Sequence, residues 1–170
     1  FALSHGVHRG ILKTGKYDDR AVFVKKLISK TNNVKFDIYG IDKVQPIWAD
    51  HYFKTISNSK MGLNLSRGEP IKYYSSDRIT QIIGNGLVTL IDEKTGYRDF
   101  FNDNEMVFYK NVDDLAEKII KISQDEKLRR KIGKRGREKY LKDFNSTLVA
   151  DFIVKKTFDI KNKQRFAWEK

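Results

Sequence analysis

The sequence predicts an α/β fold of the Rossmann-like kind, with a parallel sheet and helices on both of its faces. Short apolar runs alternate along the 170 residues with longer stretches in which apolar residues recur every three or four positions. This alternation is typical of βαβ units. One run, Leu87-Val-Thr-Leu-Ile91, is apolar at nearly every position, as expected for a strand buried on both faces. We place this single domain at residues 1–160 and expect a polar, frayed tail at 161–170.

Strands are predicted where a short apolar run ends at a glycine or a polar loop. Residues 34–39, for example, alternate apolar and polar side chains and stop at Gly40. The strand at 87–91 lies directly behind Gly84-Asn85-Gly86, which ends the preceding helix. In chain order, the predicted strands are residues 1–4, 34–39, 61–65, 87–91 and 106–109.

Helices are predicted where apolar residues at helical spacing follow a residue that can cap the helix start. Asp18 precedes Ala21 and Val24 in this way. A long helix near the C terminus contains Gly133 and Gly136, and each glycine weakens a helix by up to about 1 kcal/mol. In chain order, the predicted helices are residues 20–30, 49–59, 76–83, a short one at 97–101, 115–123, 127–141 and 147–158.

Three polar loops are predicted to meet at one edge of the sheet. Residues 5–10, 40–48 and 67–76 each follow a predicted strand. The carboxyl ends of parallel strands share an edge, and ligands of open α/β sheets bind in the crevice beyond it. The sequence therefore predicts a ligand site built from these three loops.

The loop at 67–76 has the strongest signal for an anion. It enters a helix through Ser75-Ser76-Asp77, and a helix start offers unpaired N–H groups and the positive end of the helix dipole. Arg67, Lys72 and Arg78 surround this point with positive charge. A phosphate-bearing ligand is predicted here. Two alternatives stay open: a plain helix cap without a ligand, and a surface salt bridge between Arg67 and Glu69.

The formal net charge of +12 favours anionic partners such as nucleotides, nucleic acid or an acidic membrane surface. Residues 117–142 hold eleven Lys and Arg against four Asp and Glu. We interpret this basic run first as a solvated helix face and second as a surface attracted to an anionic membrane. Nucleic acid is disfavoured because no recognised nucleic-acid-binding motif accompanies the charge.

The cellular setting is inferred from what the sequence lacks. The chain has no Cys, so it has neither a disulfide framework nor a thiolate metal site. It shows no apolar run of membrane-spanning length and no signal-peptide pattern. We expect a cytoplasmic protein that is at most peripheral to the inner face of the membrane. Because the first residue is Phe rather than Met, we also expect the chain to be part of a longer protein.

A series of short motifs follows in a fixed order between residues 34 and 144. After a strand come Asn-Leu-Ser-Arg-Gly, Ser-Ser-Asp-Arg-Ile and Gly-Asn-Gly, then a second strand, Glu-x-Val-x-Tyr and Asp-Asp-Leu-Ala-Glu-Lys-Ile. This order resembles the C-terminal, donor-binding half of GT-B glycosyltransferases, with the CgeB-like group as the nearest relatives. The resemblance implies a nucleotide-sugar donor, UDP- or GDP-linked, and an acceptor held by a separate N-terminal domain. It also implies that no cofactor and no metal ion is needed.

The resemblance further implies roles at the start of the donor-binding helix. Ser75, Ser76 and Asp77 match that helix start, where backbone N–H groups contact the diphosphate. Arg78 would bind the phosphate oxygens with its planar fork of donors. Gln81 stands where the family usually has a Glu that binds the ribose hydroxyls, so it would hydrogen-bond the ribose without a charge.

Other candidates lie near the same edge of the sheet. Tyr74 would stack on the base or the sugar, or else act as a hydrophobic staple for the helix. His5 and His8 are the catalytic candidates, and the alternative for each is a solvent-exposed loop histidine. We interpret Asp103-Asn-Glu105 as a surface turn rather than a metal site. The additional basic residues expected to help hold the phosphates are Arg9, Lys16 and Arg67.

Two other functional classes stay open. One is a different enzyme on the same fold, although neither Gly-x-Gly-x-x-Gly nor the Walker phosphate loop is present. The other is a non-catalytic module that binds an anionic membrane surface or nucleic acid through residues 117–142. Such a module should hold these partners without a nucleotide and lose them as salt is added.

Overall fold

A parallel sheet of three strands lies at the centre of the fold. The computed structural model describes residues 7–8, 11–12, 14–42, 44–161 and 165–169. The strands pair in chain order, with Leu63 opposite Leu90 and Ile91 opposite Phe108. The strands of this sheet are β3 (Met61–Asn64), β4 (Val88–Asp92) and β5 (Val107–Tyr109). Two further strands, β1 (Val7–His8) and β2 (Ile11–Leu12), form an antiparallel pair.

Helices cover both faces of the sheet. Val88 and Leu90 pack in one core with residues of α1 (Asp19–Lys30) and α4 (Val112–Gln124), whereas Ile91 and Phe108 pack in a second core with residues of α3 (Asp77–Gly84). This arrangement follows from the side-chain alternation of a strand that is buried on both faces. The Rossmann-like α/β prediction is confirmed. The helices are α1 (Asp19–Lys30), α2 (Ala49–Asn58), α3 (Asp77–Gly84), α4 (Val112–Gln124), α5 (Glu126–Asp143) and α6 (Ser146–Thr157), with 3₁₀ turns at Glu93–Thr95 and Tyr97–Asp99.

Two glycines let α5 approach the backbone of the sheet closely. A Cβ atom added at Gly133 would overlap the carbonyl oxygen of Gly86, and one added at Gly136 would overlap that of Glu105. From the sequence, we expected only that both glycines weaken the helix. The structure shows that they are required by contact, because any side chain would push α5 away from the loops before β4 and β5.

The predicted strand at residues 34–39 is wrong. The segment is not a strand of the sheet, and within it only Tyr39 forms an isolated bridge. Its alternation is nevertheless meaningful, because Val34, Phe36 and Ile38 all pack against the α1–α4 core. A period of two reports that one side of an extended segment is buried, and it does not require a hydrogen-bonded neighbour.

The two ends of the chain also differ from expectation. Residues 1–4 lie outside the described residues, and the predicted loop at 5–10 contains strand β1, because Val7 and His8 pair with Leu12 and Ile11.

At the C-terminal end, the prediction of a frayed tail is wrong for residues 165–169, since Phe166 is only 4% exposed. Trp168 packs there on Phe144 and Phe152. Two large apolar side chains outweigh the polar composition of this segment. The other predicted elements agree with the observed bounds to within three residues.

Candidate functional site

The start of α3 lies beside the carboxyl end of β3, and its predicted cap is not formed. Ser76 occupies the N-cap position but makes no capping hydrogen bond. Its hydroxyl instead donates to Oδ1 of Asn64, the last residue of β3, at 3.0 Å. Ser75 is exposed and lies next to the hydroxyl of Tyr97. The side chains of Ser75 and Ser76 therefore do not cap α3, because they bind elsewhere.

Arg78, in the first turn of α3, is held by the residue that directly follows β3. Its Nη1 donates to the carbonyl oxygen of Leu65 at 2.9 Å. Burial and, after it, the positive charge of Arg20 lower the pKa of Arg78 from its ordinary value. A guanidinium stays charged despite such a shift. A partly buried cation near a second cation is electrostatically costly, and an anion placed between them would relieve that cost.

Arg20 was missed by the sequence analysis, which assigned Asp18 only to helix capping. Asp18 is completely buried, and its two carboxylate oxygens accept from Arg20 Nε at 2.9 Å and Nη2 at 2.7 Å. Arg67 reaches the same carboxylate at 3.6 Å. The hydrogen bond from Arg20 lowers the pKa of Asp18 to about 2. One buried carboxylate thus positions two arginines.

We call Arg20, Arg67 and Arg78 the arginine cluster. The buried Asp18 carboxylate offsets one of these three positive charges, and the exposed Asp19 and Asp77 lie beside the cluster in the first turns of α1 and α3. A hydrogen bond joins the loop at 67–76 to the start of α1, because the Gly68 N–H donates to Oδ2 of Asp19 at 2.8 Å. The alternative pairing of Arg67 with Glu69 is not found, since Glu69 faces Lys94 at 3.7 Å.

A cavity of about 270 Å³, here called the α3 cavity, adjoins the start of α3. Arg78 and Gln81, three positions apart on α3, both line it, as expected for residues on one helix face. Tyr39 and Ile47, from either end of the predicted 40–48 loop, line it as well, and Tyr52 of α2 contributes an aromatic ring. The structure therefore places this loop and the α3 start around a common space.

The remaining sequence candidates are less closely tied to this site. Tyr74 is 54% exposed and lies near Arg78, whose pKa it tends to raise. Lys16 is exposed, two positions before Asp18. His5 and Arg9 lie outside the described residues, and for His8 only its backbone place in β1 is described.

No metal-binding group accompanies the cluster in the part of the chain that is described, where no three His, Cys, Asp or Glu side chains gather suitably. Asp103 pairs with Arg98 at 3.0 Å, and Glu105 accepts from the Asn102 N–H at 3.0 Å. These two acids thus belong to a turn on the surface. None of the described helices combines the length and the apolar character needed to cross a membrane.

The basic run at 117–142 forms much of α5. Several of its cations have partners within the chain: Arg130 pairs with Glu126, and Lys139 with Asp143, each at 2.7 Å. Arg137 donates from Nε to the carbonyl oxygen of Gly84. These contacts support the interpretation of the run as the solvated face of a structural helix, because i,i+4 pairs are typical of such faces.

Comparison with known proteins identifies the family of this chain. A family model described as glycosyl transferase-like matches residues 20–155, which include the arginine cluster, the sheet and helices α2 to α5. No curated protein gives a significant match to the chain. Since the family model covers most of the sequence, this chain belongs to the glycosyl transferase-like family.

Proposed function

We propose that this domain binds the nucleotide-sugar donor of a glycosyl transfer reaction, as the C-terminal half of a GT-B enzyme of the CgeB-like group. The arginine cluster at the start of α3 is the observation that carries the proposal. The Arg20 guanidinium is fixed by the buried Asp18 carboxylate and that of Arg78 by the Leu65 carbonyl oxygen, while the more exposed Arg67 lies within ion-pair distance of Asp18. Such rigid forks match the oxygens of a diphosphate.

The diphosphate lies, in this proposal, against the first turn of α3. The Ser76 hydroxyl is engaged by Asn64 rather than by the amide groups of this turn, which leaves the cap position to a phosphate oxygen. Ser75, Ser76 and Asp77 supply backbone at this point, and Arg78 supplies the charge. Lys16 and Arg9 are proposed as additional cations.

The nucleoside lies, in this proposal, in the α3 cavity. Gln81 hydrogen-bonds the ribose hydroxyls from the same helix face as Arg78. Tyr39 and Tyr52 offer aromatic surface for the base, and Tyr74 lies at the exposed edge. A largely apolar pocket with a few fixed polar groups is the usual form of such a site. We propose UDP or GDP as the nucleotide.

The cluster would assist the reaction through the leaving group. Negative charge builds up on the departing diphosphate as the bond to the sugar breaks, and fixed arginines at that place stabilise the charge without reorganisation. No metal ion is needed in this scheme. The acceptor, and further catalytic groups, are proposed to come from a separate N-terminal domain, with His5 and His8 as candidates in this chain.

Calorimetric titration without metal tests the proposal. We expect UDP or GDP to bind saturably and with base selectivity, and Arg78→Ala to weaken binding by between about tenfold and a hundredfold, the range for hydrogen bonds to charged groups. Arg130→Ala is the matched control, because Arg130 is an exposed arginine paired only along α5. A folded protein that binds neither diphosphate, or that binds equally well after Arg78→Ala, would overturn the proposal.

A further inference from the structure

The three strands of the central sheet all end in polar residues that line one cavity. Asn64, Asp92 and Tyr109 are the last residues of β3, β4 and β5. They line a space of about 200 Å³, here called the strand-end cavity, at the carboxyl edge of the sheet. The strand-end cavity and the α3 cavity share no lining residue, so neither Arg78 nor Gln81 lines the strand-end cavity.

Tyr109 brings an unexplained polar atom to this cavity. Its side chain is fully buried, and within the described ranges its hydroxyl has no hydrogen-bond partner. Burial, together with the neighbouring Asp92 carboxylate, raises the pKa of Tyr109 above its ordinary value, so the hydroxyl keeps its proton. Leaving a buried hydroxyl unpaired costs free energy. A Phe would fill the core without that cost, which indicates that the hydroxyl serves another purpose.

Only one oxygen of the Asp92 carboxylate accepts a hydrogen bond from the described residues. Its Oδ1 accepts the Lys94 N–H at 2.9 Å, and its side chain makes no other hydrogen bond or ion pair with residues that the structure describes. Burial raises the pKa of this carboxyl. A half-buried carboxylate beside an unpaired phenol repels anions and attracts hydroxyl donors. The other charged residues that line the cavity are two acids and two bases, Asp19, Glu69, Arg20 and Lys94. Because these charges offset one another, the cavity suits a neutral group with several hydroxyls.

The strand-end cavity is continuous with the arginine cluster. Arg20 lines the cavity and belongs to the cluster through Asp18. Leu65 also lines the cavity, and its carbonyl oxygen holds Arg78. A ligand whose diphosphate occupies the cluster would thus extend into the α3 cavity on one side and into the strand-end cavity on the other.

We propose that the strand-end cavity binds the sugar of the nucleotide-sugar donor, with Asp92 and Tyr109 hydrogen-bonding its hydroxyl groups. The inference rests on the proposed function, because the diphosphate fixes which group reaches this edge. Asp92 accepts from a sugar hydroxyl through its free oxygen. Tyr109 donates to, or accepts from, a second hydroxyl after a small adjustment of the surrounding loop.

The test compares each nucleoside diphosphate with its sugar conjugate on the same variants. The probes are UDP with UDP-glucose and UDP-N-acetylglucosamine, and GDP with GDP-mannose. We expect Tyr109→Phe and Asp92→Asn each to weaken the sugar conjugate by about tenfold and to leave the free diphosphate unchanged. Tyr109→Phe should not lower the melting temperature, because the hydroxyl it removes has no partner.

Thr89→Val is the matched control. Thr89 is the other fully buried residue whose hydroxyl has no partner in the described structure, and it does not line the strand-end cavity. Its replacement should change neither affinity. The inference is overturned if Tyr109→Phe and Asp92→Asn leave the conjugates unaffected, if they weaken free diphosphates equally, or if no sugar adds affinity in the wild type.

Two further outcomes identify a different error. If free glucose binds beside UDP, and Tyr109→Phe weakens that binding instead of UDP-glucose binding, the cavity serves an acceptor and the inference is wrong. If the folded wild type binds no nucleoside diphosphate at all, the proposed function itself fails. The two failures are distinguishable because only the second abolishes binding of the free diphosphates.

Discussion

The starts of α3 and α4 differ in whether a side chain of the protein caps them. At the α4 start, Asn111 accepts hydrogen bonds from the N–H groups of Asp113 and Asp114, each at 3.0 Å. At the α3 start, the corresponding Ser76 turns its hydroxyl to Asn64. Both helices follow a strand of the same sheet. One start is completed by its own chain, as stability requires, and the other is available to a ligand.

The charges around the two helix starts differ in the same sense. At α4, acids are matched by single lysines: Asp113 pairs with Lys30 and Asp114 with Lys118. At α3, the Asp18 carboxylate pairs with Arg20 and Arg67, while Arg78 donates to the carbonyl oxygen of Leu65. Each of these acids at the α4 start has its own lysine, whereas the α3 start gathers three guanidinium groups near one buried carboxylate. The comparison teaches that the candidate binding region of this domain is the part where the helix start lacks its own side-chain cap.

The largest expected effect is a loss of stability where α5 packs against the loop between α3 and β4. Gly133→Ala should lower the free energy of unfolding by about 3 kcal/mol, because its Cβ would overlap the Gly86 carbonyl oxygen. Gly84→Ala is the matched control: nothing lies within 4 Å of its added Cβ, so stability should stay equal or rise slightly. Urea denaturation of both variants measures this, and equal losses would contradict the close approach of α5.

The next effect concerns the carboxylate beneath the arginine cluster. Asp18→Asn should lower the free energy of unfolding at pH 7 by about 2 kcal/mol, through lost hydrogen bonds to a charged group. The folded-state pKa of Asp18 is about 2, below its ordinary value of 3.8. Its stabilisation is therefore complete above the ordinary value and is lost as the pH falls towards 2. Denaturation curves at several pH values should show the difference between wild type and variant shrinking below about pH 4. A difference that stays constant would contradict the ion pair.

A smaller effect separates the two helix starts directly. Asn111→Ala should cost about 1 kcal/mol of stability, the usual value for a lost N-cap, and should leave nucleotide affinity unchanged. Thermal unfolding and calorimetry on the same samples check both expectations. A clear loss of nucleotide affinity would show that the α4 start also takes part in binding.

The smallest effect concerns an exposed member of the cluster. Arg67→Gln should weaken diphosphate binding about fivefold, since one charge-assisted contact is lost at a solvated position. Arg98→Gln is the control, because Arg98 is also an exposed, ion-paired arginine but lies beside Asp103. Equal changes in the two variants would mean that only the total charge matters.

Local patterns in the sequence predicted the elements whose stability is local. Asp18, Asn111 and Asn145 each cap the helix that follows, and the apolar run around Ile91 is a buried strand. The segment 34–39 was predicted wrongly because pairing depends on a partner distant in sequence. The burial of Phe166 was missed because the polar residues around it dominated the composition.

The site was predictable only in part, for a similar reason. Arg78 and Gln81 stand in a motif and were predicted from it, and the structure places both beside one cavity. Arg20 looked like an ordinary residue in the first turn of a helix, and its contact with Asp18 and its nearness to Arg78 exist only in the folded chain. The unpaired hydroxyl of Tyr109 leaves no trace in sequence at all, because an apolar strand position accepts Tyr and Phe equally well.

The central claim is that the α3 start, and not the α4 start, binds the diphosphate. Titration of UDP and GDP into ¹⁵N-labelled protein without metal, followed by amide chemical shifts, tests it most directly. We expect the largest shifts at residues 76–79 and at Arg20, with Asp113 and Asp114 unmoved. Shifts concentrated on α4 and α5, or no shifts at saturating nucleotide, would contradict the account.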